Sequence, residues 1–353
     1  MAKYPDIVCK SYYEKLDSGK LWDHTCGTGP YVVNENVSGS HYTLSLREDY
    51  WNTEYIPEVQ MFQLVYYGEM STMLIDFENG DLDAIIGLDE STTNRLVNGE
   101  IEGAVVETKA TYNIDYLVLP EYVSYFQDIR VRQAIAIGVD WGVVTKNAYG
   151  SLGQQATSVL PTSMSNYYKS EGAYKYDPEA AKALLEDVGY SAGEIVLNAL
   201  ASTNPEHVRI YETLQYYLNE IGITLNFTTQ EMSAVMPSVT AGATDLFVLL
   251  CMSSPSVPEP TTVLEHANKN SMMKTCVISD AEYNSYWNSF VNSNDESQRT
   301  EAMNNVQDWH YSNYWLIPIC ERTFSYAYGP RIEMLHISSN TNPELRFTEL
   351  ATQ

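Results

Sequence analysis

One central stretch of the chain alternates between strand-like and helix-like patterns, and this alternation is the strongest constraint on the fold. Runs of apolar residues predict strands over 194–199, 223–228 and 245–251. Helical patterns over 204–219 and 231–240 lie between them. Strands that are separated by single helices build mixed sheets, because each helix covers apolar residues of the sheet. We therefore expect a mixed α/β lobe in this part of the chain.

The first hundred residues predict further strands and short helices. Gly27-Thr28-Gly29-Pro30 is a turn, and alternating residues on either side of 36–40 predict a hairpin of 31–33 and 42–46. Alternation over 58–66 predicts another strand. These elements indicate a second, smaller α/β part of the molecule.

Helix signals and strand signals complete the pattern downstream. Apolar residues at helical spacing predict one long helix over 128–149, with Asp128 as its N-cap. Asp177 before Pro178, with Gly189 eleven positions after that proline, predicts a capped helix. The last apolar segments, 316–322 and 324–328, predict two closing strands.

The charge of the chain argues against nucleic acid as a partner. Lys and Arg number 20 against 46 Asp and Glu, which gives a formal net charge of −26. A surface this acidic repels phosphate backbones and anionic headgroups. The 28 tyrosines, against 8 phenylalanines, suit a pocket for a polar organic ligand, although they equally suit half-buried strands.

The sequence predicts neither a metal site nor a catalytic centre. The five cysteines show no CxxC spacing, and the six histidines show no HxxxH or HxH spacing. The motifs His-Glu-x-x-His and Gly-x-x-x-x-Gly-Lys-Ser/Thr are absent. We therefore expect no cofactor, no metal ligands and no catalytic residues. An enzyme such as a secreted hydrolase is not expected.

Four segments, in this order, resemble the family 5 extracellular solute-binding proteins of the dipeptide- and oligopeptide-binding type. The segments are Gly27-Thr28-Gly29-Pro30-Tyr31 with Asp49-Tyr50-Trp51, then Phe77-Glu78-Asn79-Gly80-Asp81-Leu82-Asp83, then Asp128-Ile129-Arg130-Val131-Arg132-Gln133-Ala134-Ile135, then Tyr176-Asp177-Pro178-Glu179. The resemblance runs from about residue 6 to 345 and corresponds to the C-terminal two-thirds of a member. We predict that Arg130 and Arg132 make scaffold contacts.

The resemblance implies a periplasmic-binding-protein-like type II fold with two mixed α/β lobes. Residues 1–111 with the return strands 317–353 would form lobe I, and 112–316 would form lobe II. Two hinge crossings would join the lobes, and a bound ligand would hold them closed.

The resemblance also implies a function. The chain would be the extracellular substrate-binding component of an ABC importer, would capture peptides or a related small polar solute, and would act as a monomer with the transporter permease as partner. Its place would be the cell surface, as a lipoprotein, or the periplasm, with membrane contact only through an anchor and leader removed from this sequence. The alternatives are a binder of a non-peptide solute, such as a sugar or a nickel chelate, and a signalling receptor domain.

The resemblance also indicates where ligand binds. Peptide-binding members carry an Asp after a core strand, which receives the ligand α-ammonium, and here Ser254 or Ser256 takes that position. Without the carboxylate, a ligand cation loses a charge-assisted hydrogen bond of about 1.5–3 kcal/mol. The expected ligand-binding residues lie at this strand end and at the two crossings: Cys251, Met252, Ser253, Ser254, Ser256, Tyr112, Asn113, Arg322 and Thr323.

Overall fold

The structure, a computed structural model, describes residues 27–54, 56–252, 259–264, 278–335 and 351–352. The described chain divides into two compact units. The first lies within 27–107, 325–335 and 351–352, and the second lies within 108–324. Both changes of unit fall within long strands, which are given below.

Antiparallel pairing organises the first unit. Strands β1 (Tyr31–Val37), β2 (His41–Leu46) and β3 (Met61–Val65) form a three-stranded sheet in that order. The turn between β1 and β2 needs a positive φ, and Gly39 supplies it at 73°. The predicted hairpin and third strand are therefore confirmed.

Two helices and a short strand form the apolar centre of the first unit. Helix α1 (Met70–Glu78), strand β4 (Ala84–Ile86) and helix α2 (Glu90–Val97) follow one another in the chain. The α2 N-cap is Asp89, whose carboxylate accepts a hydrogen bond from the amide of Thr92 at 2.7 Å. These elements contribute to one cluster of buried apolar side chains: Leu74, Phe77, Ile85, Leu88, Leu96 and Ala327.

Two long strands carry the chain from one unit to the other. Strand β5 (Val105–Val118) leads into the second unit, and β10 (Leu316–Tyr328) leads back. In the first unit the last residues of β10 pair antiparallel with β4, with Tyr326 opposite Ile86. Two closing strands were predicted over 316–322 and 324–328, and that prediction is wrong. One strand continues through Thr323, whose hydroxyl donates a hydrogen bond to the Leu152 carbonyl at 2.8 Å.

The second unit contains the predicted alternation of strands and helices. Strands β7 (Ile195–Ser202) and β8 (Ile223–Gln230) are parallel, and the helix between them packs on both. Strand β9 (Phe247–Met252) pairs antiparallel with β5, and β6 (Gly153–Gln155) pairs with β10. The helices of this unit are α3 (Ile129–Gly138), α4 (Trp141–Tyr149), α5 (Pro178–Val188), α6 (Pro205–Glu220), α7 (Met232–Thr240), α8 (Pro260–Leu264), α9 (Ala281–Asn292) and α10 (Glu296–Asn313).

The single helix predicted over 128–149 is in fact the pair α3 and α4. Val139 has an extended backbone, and the Asp140 carboxylate accepts a hydrogen bond from the amide of Val143 at 3.1 Å. Asp140 is thus an N-cap in the middle of an apolar pattern, and a new helix starts there. The predicted caps at Asp128 and Asp177 are confirmed, and Gly189 ends α5 with a left-handed φ of 101°.

No helix in the described ranges is both long enough and apolar enough to cross a bilayer. Those ranges also contain no group of three or more His, Cys, Asp or Glu side chains placed to hold a metal ion.

Candidate functional site

The predicted ligand-binding residues come from distant parts of the chain, and the sheet of the second unit brings several of them together. Within it the strands lie in the order β10-β5-β9. Asn113 pairs with Met252 and Ile114 with Cys251, which places the start of one predicted segment beside the end of another. The third predicted segment contains Arg322 and Thr323. Its Arg322 carbonyl accepts a hydrogen bond from the Thr111 hydroxyl at 2.7 Å. Ser253, Ser254 and Ser256 lie outside the described residues.

Arg322 forms an ion pair with a buried carboxylate, which the sequence did not predict. Its Nε donates to Asp115 Oδ2 at 2.8 Å and its Nη2 donates to Asp115 Oδ1 at 2.9 Å. Asp115 is fully buried, and the Arg322 guanidinium carbon lies 4.6 Å from the centre of the Tyr149 ring. Two parallel, charge-assisted hydrogen bonds fix the guanidinium and balance its charge. Arg322 therefore brings no unbalanced positive charge to the site.

His207 extends this pair into a network. Its Nε2 lies 3.2 Å from Arg322 Nη2, and its Nδ1 lies 2.8 Å from Ser202 Oγ. A guanidinium only donates hydrogen bonds, so Nε2 must accept, and the ring is neutral with its proton on Nδ1. Burial lowers the pKa of His207, and the Arg322 charge lowers it further against the opposing effect of Asp115. Protonation of His207 would place its positive charge 3.2 Å from the Arg322 guanidinium, and the two cations would repel each other.

The Tyr149 ring, on α4, packs against the Arg322 guanidinium. Burial, and then the charge of Asp115, raise the pKa of this hydroxyl far above its usual value, so it stays protonated. The one signal in the sequence that could have revealed the network is Asp115 itself, a carboxylate inside the apolar run Ile114-Asp115-Tyr116-Leu117. Such a charge is buried only with a partner.

The other predicted residues take different roles. The backbone amide of Asn113 donates a hydrogen bond to the Thr111 hydroxyl at 3.1 Å. The side-chain oxygen of Asn113, Oδ1, is buried and has no hydrogen-bond partner among the described residues. Tyr112 is half-buried and packs against the core, and the Thr323 hydroxyl is occupied by Leu152. Asn113 thus keeps an acceptor that a ligand could use.

Glu321 is a buried carboxylate next to Arg322 that sequence reasoning missed. Its Oε2 accepts two hydrogen bonds from Thr162, from the amide at 2.8 Å and from the hydroxyl at 2.6 Å. Its Oε1 is buried and has no partner among the described residues. Burial raises the pKa of Glu321 against the lowering effect of the Thr162 donors. Neighbouring side chains of a strand point to opposite faces, so Glu321 lies on the other face of β10 from Arg322.

Glu259, the first described residue after 253–258, carries a paired carboxylate. Its Oε2 accepts a hydrogen bond from Arg299 Nη2 at 3.0 Å. The backbone carbonyl of Glu259 accepts from the Thr262 hydroxyl at 2.7 Å and from its amide at 3.0 Å, which starts α8. Arg322 and Glu259 are therefore each matched by an opposite charge.

The two arginines of the Asp128–Ile135 segment have scaffold roles, as predicted. Arg130 pairs with Asp128 and with Asp187, each at 2.6 Å. Arg132 Nε donates to the carbonyl of Asn313 at 2.7 Å, and its guanidinium lies 3.7 Å above the Trp315 ring. Burial lowers the pKa of Arg132 to about 10. These contacts tie α3 to α5 and to the end of α10.

Known proteins match both the sequence and the fold. The sequence profile of the bacterial extracellular solute-binding proteins, family 5 Middle, matches residues 1–274. Heme-binding protein A of Haemophilus influenzae is 25% identical over 235 residues, which cover 65% of this chain and 41% of that protein. The dipeptide-binding protein of Escherichia coli is 24% identical over 234 residues, which cover 65% of this chain and 42% of that protein.

The crystal structure of the dipeptide-binding protein from Pseudoalteromonas sp. SM9913 in complex with Met-Leu has a TM-score of 0.77 and 18% sequence identity. That likeness covers 98% of this chain and 69% of the other, whereas the matches to the two curated relatives span only 41% and 42% of their length. The fold is the periplasmic-binding-protein-like type II fold, and the chain belongs to the family 5 bacterial extracellular solute-binding proteins.

Proposed function

We propose that this chain is the extracellular or periplasmic substrate-binding component of an ABC importer and captures a peptide or a related small polar solute. The observation that carries the proposal is the convergence of three distant predicted segments on the neighbouring strands β9, β5 and β10. Ligands of α/β folds bind preferentially at strand ends, and β9 ends at Met252, opposite Asn113 of β5. The partner implied by this function is the importer permease.

Residues 1–111 with 317–353 are proposed as lobe I and residues 112–316 as lobe II. Both boundaries lie on β5 or β10, the strands within which the two compact units change over. This supports a division at two strands, although the compact units change over nearer to 107 and 324.

The proposed ligand-binding residues are those predicted from the sequence: Tyr112, Asn113, Cys251, Met252, Ser253, Ser254, Ser256, Arg322 and Thr323. Arg322 would act mainly by holding β10 against β5, because two of its nitrogens are bound to Asp115. Neutral groups would then make the direct contacts, with Asn113 Oδ1 among them. A site that binds the peptide backbone through neutral hydrogen bonds tolerates many different side chains, which suits a protein that captures peptides of varied sequence.

The test compares a peptide with its N-acetylated form. We expect trialanine and N-acetyl-trialanine to bind within about fivefold of each other, because a hydroxyl that loses an ammonium loses only an ordinary hydrogen bond of about 1 kcal/mol. A buried carboxylate in the same place would lose more than a hundredfold, or roughly several kcal/mol. Both affinities are measured by isothermal titration calorimetry on the full chain.

A loss of all binding on acetylation would contradict the neutral site and point to a carboxylate that receives the ammonium. Binding of neither peptide nor of a mixed tripeptide library would contradict the peptide proposal. Retention of a sugar, a nickel chelate or heme, under those conditions, would favour a non-peptide solute instead. A chain that binds peptide and stimulates no permease ATPase would favour a signalling receptor.

A further inference from the structure

Strand β3 is one edge of the three-stranded sheet in the first unit, and part of its backbone is left unpaired there. The Gln60 carbonyl accepts a hydrogen bond from β2 at 2.7 Å, and the Tyr66 amide donates to the β1–β2 turn at 2.8 Å. Alternate residues of an antiparallel strand bond to the same neighbour, so Met61, Gln63 and Val65 direct their N–H and C=O groups away from β2. Within the described ranges no strand pairs with that side of β3.

This edge also lacks the features that protect most edge strands from pairing with another chain. Charged side chains, prolines and bulges are the usual protection. Strand β1, at the other edge of the sheet, has a bulge between Val33 and Glu35 and carries the charge of Glu35. In β3 and its flanks, by contrast, the sequence has neither charge nor proline from Val59 to Gly68, in a chain of net charge −26. The β3 edge therefore places no charge or bulge in the path of another strand.

Apolar side chains are exposed on both faces of β3. The exposed fraction is 65% for Met61 and 40% for Val65 on one face, and 39% for Leu64 on the other. Gln63 lies between Met61 and Val65, where its Nε2 donates to the Thr43 hydroxyl at 3.4 Å. A strand added to this edge would cover these side chains as well as bond the backbone.

We propose that β3 is an interaction surface for a second copy of this chain, which pairs antiparallel through its own β3. The sequence supports this occupant because it is self-complementary around Gln63. A two-fold axis at Gln63 places Met61 opposite Val65 of the second copy and Phe62 opposite Leu64, so apolar side chains meet on both faces. The two Gln63 amides meet at the axis, and the outward groups of the two strands form about six backbone hydrogen bonds.

The association is measured by sedimentation equilibrium on the full chain, over about 1–500 μM protein. Wild type is expected to form a dimer whose dissociation constant falls at least about threefold from roughly 0.05 to 0.5 M NaCl, because salt screens the repulsion between two acidic copies. A monomer at every concentration and salt would overturn the proposal. The measurement needs no ligand, so its failure leaves the proposed function untouched.

A charge at the axis tests the pairing register. Gln63→Lys sets two like charges opposite each other and should weaken the dimer at least about tenfold. It also makes the chain less acidic, so an association that depended only on net charge would strengthen instead. Asn34→Lys is the matched control, because it makes the same charge change at an exposed residue of β1, and the dimer should not weaken. Equal weakening by both variants would overturn the proposal.

A second charge variant should restore the association. Gln63→Glu alone should weaken the dimer as Gln63→Lys does, whereas a mixture of the two should form a heterodimer at least about tenfold tighter than either homodimer. A mixture that associates no better than its components would contradict pairing across Gln63.

Hydrogen exchange on wild type decides the question if either variant fails to fold. The amides of Met61, Gln63 and Val65 should gain protection as the protein concentration rises, because only the dimer gives them acceptors. Protection that rises in another segment and not in β3 would place the interface elsewhere and overturn the proposal.

Discussion

His310 is a buried, uncharged histidine, so its preference for the neutral form should lower the stability of the fold as the pH falls, and its substitution tests this effect. It lies on α10 with its side chain fully buried. The Tyr283 ring lies 5.2 Å away and the Trp309 ring 5.5 Å away, both edge-on. Neither ring nitrogen has a hydrogen-bond partner within the part of the chain that the structure describes. Burial lowers the pKa of His310 to about 3.

The size of the effect follows from the difference between the folded and unfolded pKa. An unfolded histidine titrates near pH 6.5. Above that pH the ring is neutral in both states and adds no pH dependence. Below it the unfolded state alone takes up a proton, so the free energy of unfolding falls by about 1.4 kcal/mol per pH unit until the folded pKa of about 3 is reached. From pH 7.5 to pH 5 the loss is therefore about 2 kcal/mol.

The assay is urea unfolding of wild type and of His310→Leu at a series of pH values from 7.5 to 5. The other titrating groups are common to both proteins, so their contributions cancel in the difference between the two free energies of unfolding. That difference should move by about 2 kcal/mol in favour of His310→Leu as the pH falls. Val306→Ala, which makes a cavity one helical turn away, is the control. It should lower the free energy of unfolding by the same amount at every pH.

A difference between wild type and His310→Leu that does not change with pH would refute the reasoning. It would mean that the ring is solvated or hydrogen-bonded in the folded protein, and that its burial does not keep it neutral.

Two further predictions concern the second unit. Asp115→Asn leaves the Arg322 guanidinium in the interior without its counter-ion and should cost about 3–5 kcal/mol in urea unfolding; a loss below about 1 kcal/mol would mean that water replaces the carboxylate. Gly153→Ala places a Cβ 2.7 Å from the Tyr149 Cβ and 2.9 Å from the Cys320 sulfur, so it should lower the free energy of unfolding by about 1–3 kcal/mol. Gly142→Ala, whose new Cβ would come no nearer than 3.1 Å to the end of a glutamine side chain, is its control and should cost less.

The sequence predicted the elements whose signals are local. The helix after Asp177 needs only an N-cap, a proline in its first turn and a glycine after its end, and all three lie within thirteen residues of one another. The helix break at Asp140 also has a local signal, but apolar residues continue on both sides of it, and the helical spacing outweighed the cap. The strand break predicted near Thr323 was wrong because the polar residues there suggested a turn. In the structure Thr323 instead has a hydrogen-bond partner far away in the sequence, the Leu152 carbonyl.

The candidate site was predictable only as a set of backbone positions. The order of strands and helices predicts a strand end near Met252 and a chain crossing near Asn113, so both residues could be assigned to one region before the structure was known. The partners of the charged groups could not, because Asp115 and Arg322 are 207 residues apart and Glu259 and Arg299 are 40 apart. No local pattern connects such residues, and the matching of their charges appears only when the sheet has formed.

The continuity of β10 has a consequence for how the chain folds during synthesis. This strand is the hydrogen-bonded neighbour of β5 and β6 in the second unit, yet it begins only at Leu316. A nascent chain that ends before Leu316 contains Asp115 and His207 but lacks Arg322. Arg322 is the residue that neutralises Asp115 and donates a hydrogen bond to His207. Contacts between residues so far apart form slowly, because a long loop must close first. The second unit must therefore remain incomplete until its last strand leaves the ribosome, and in that interval the edge of β5 that pairs with β10 has no strand partner.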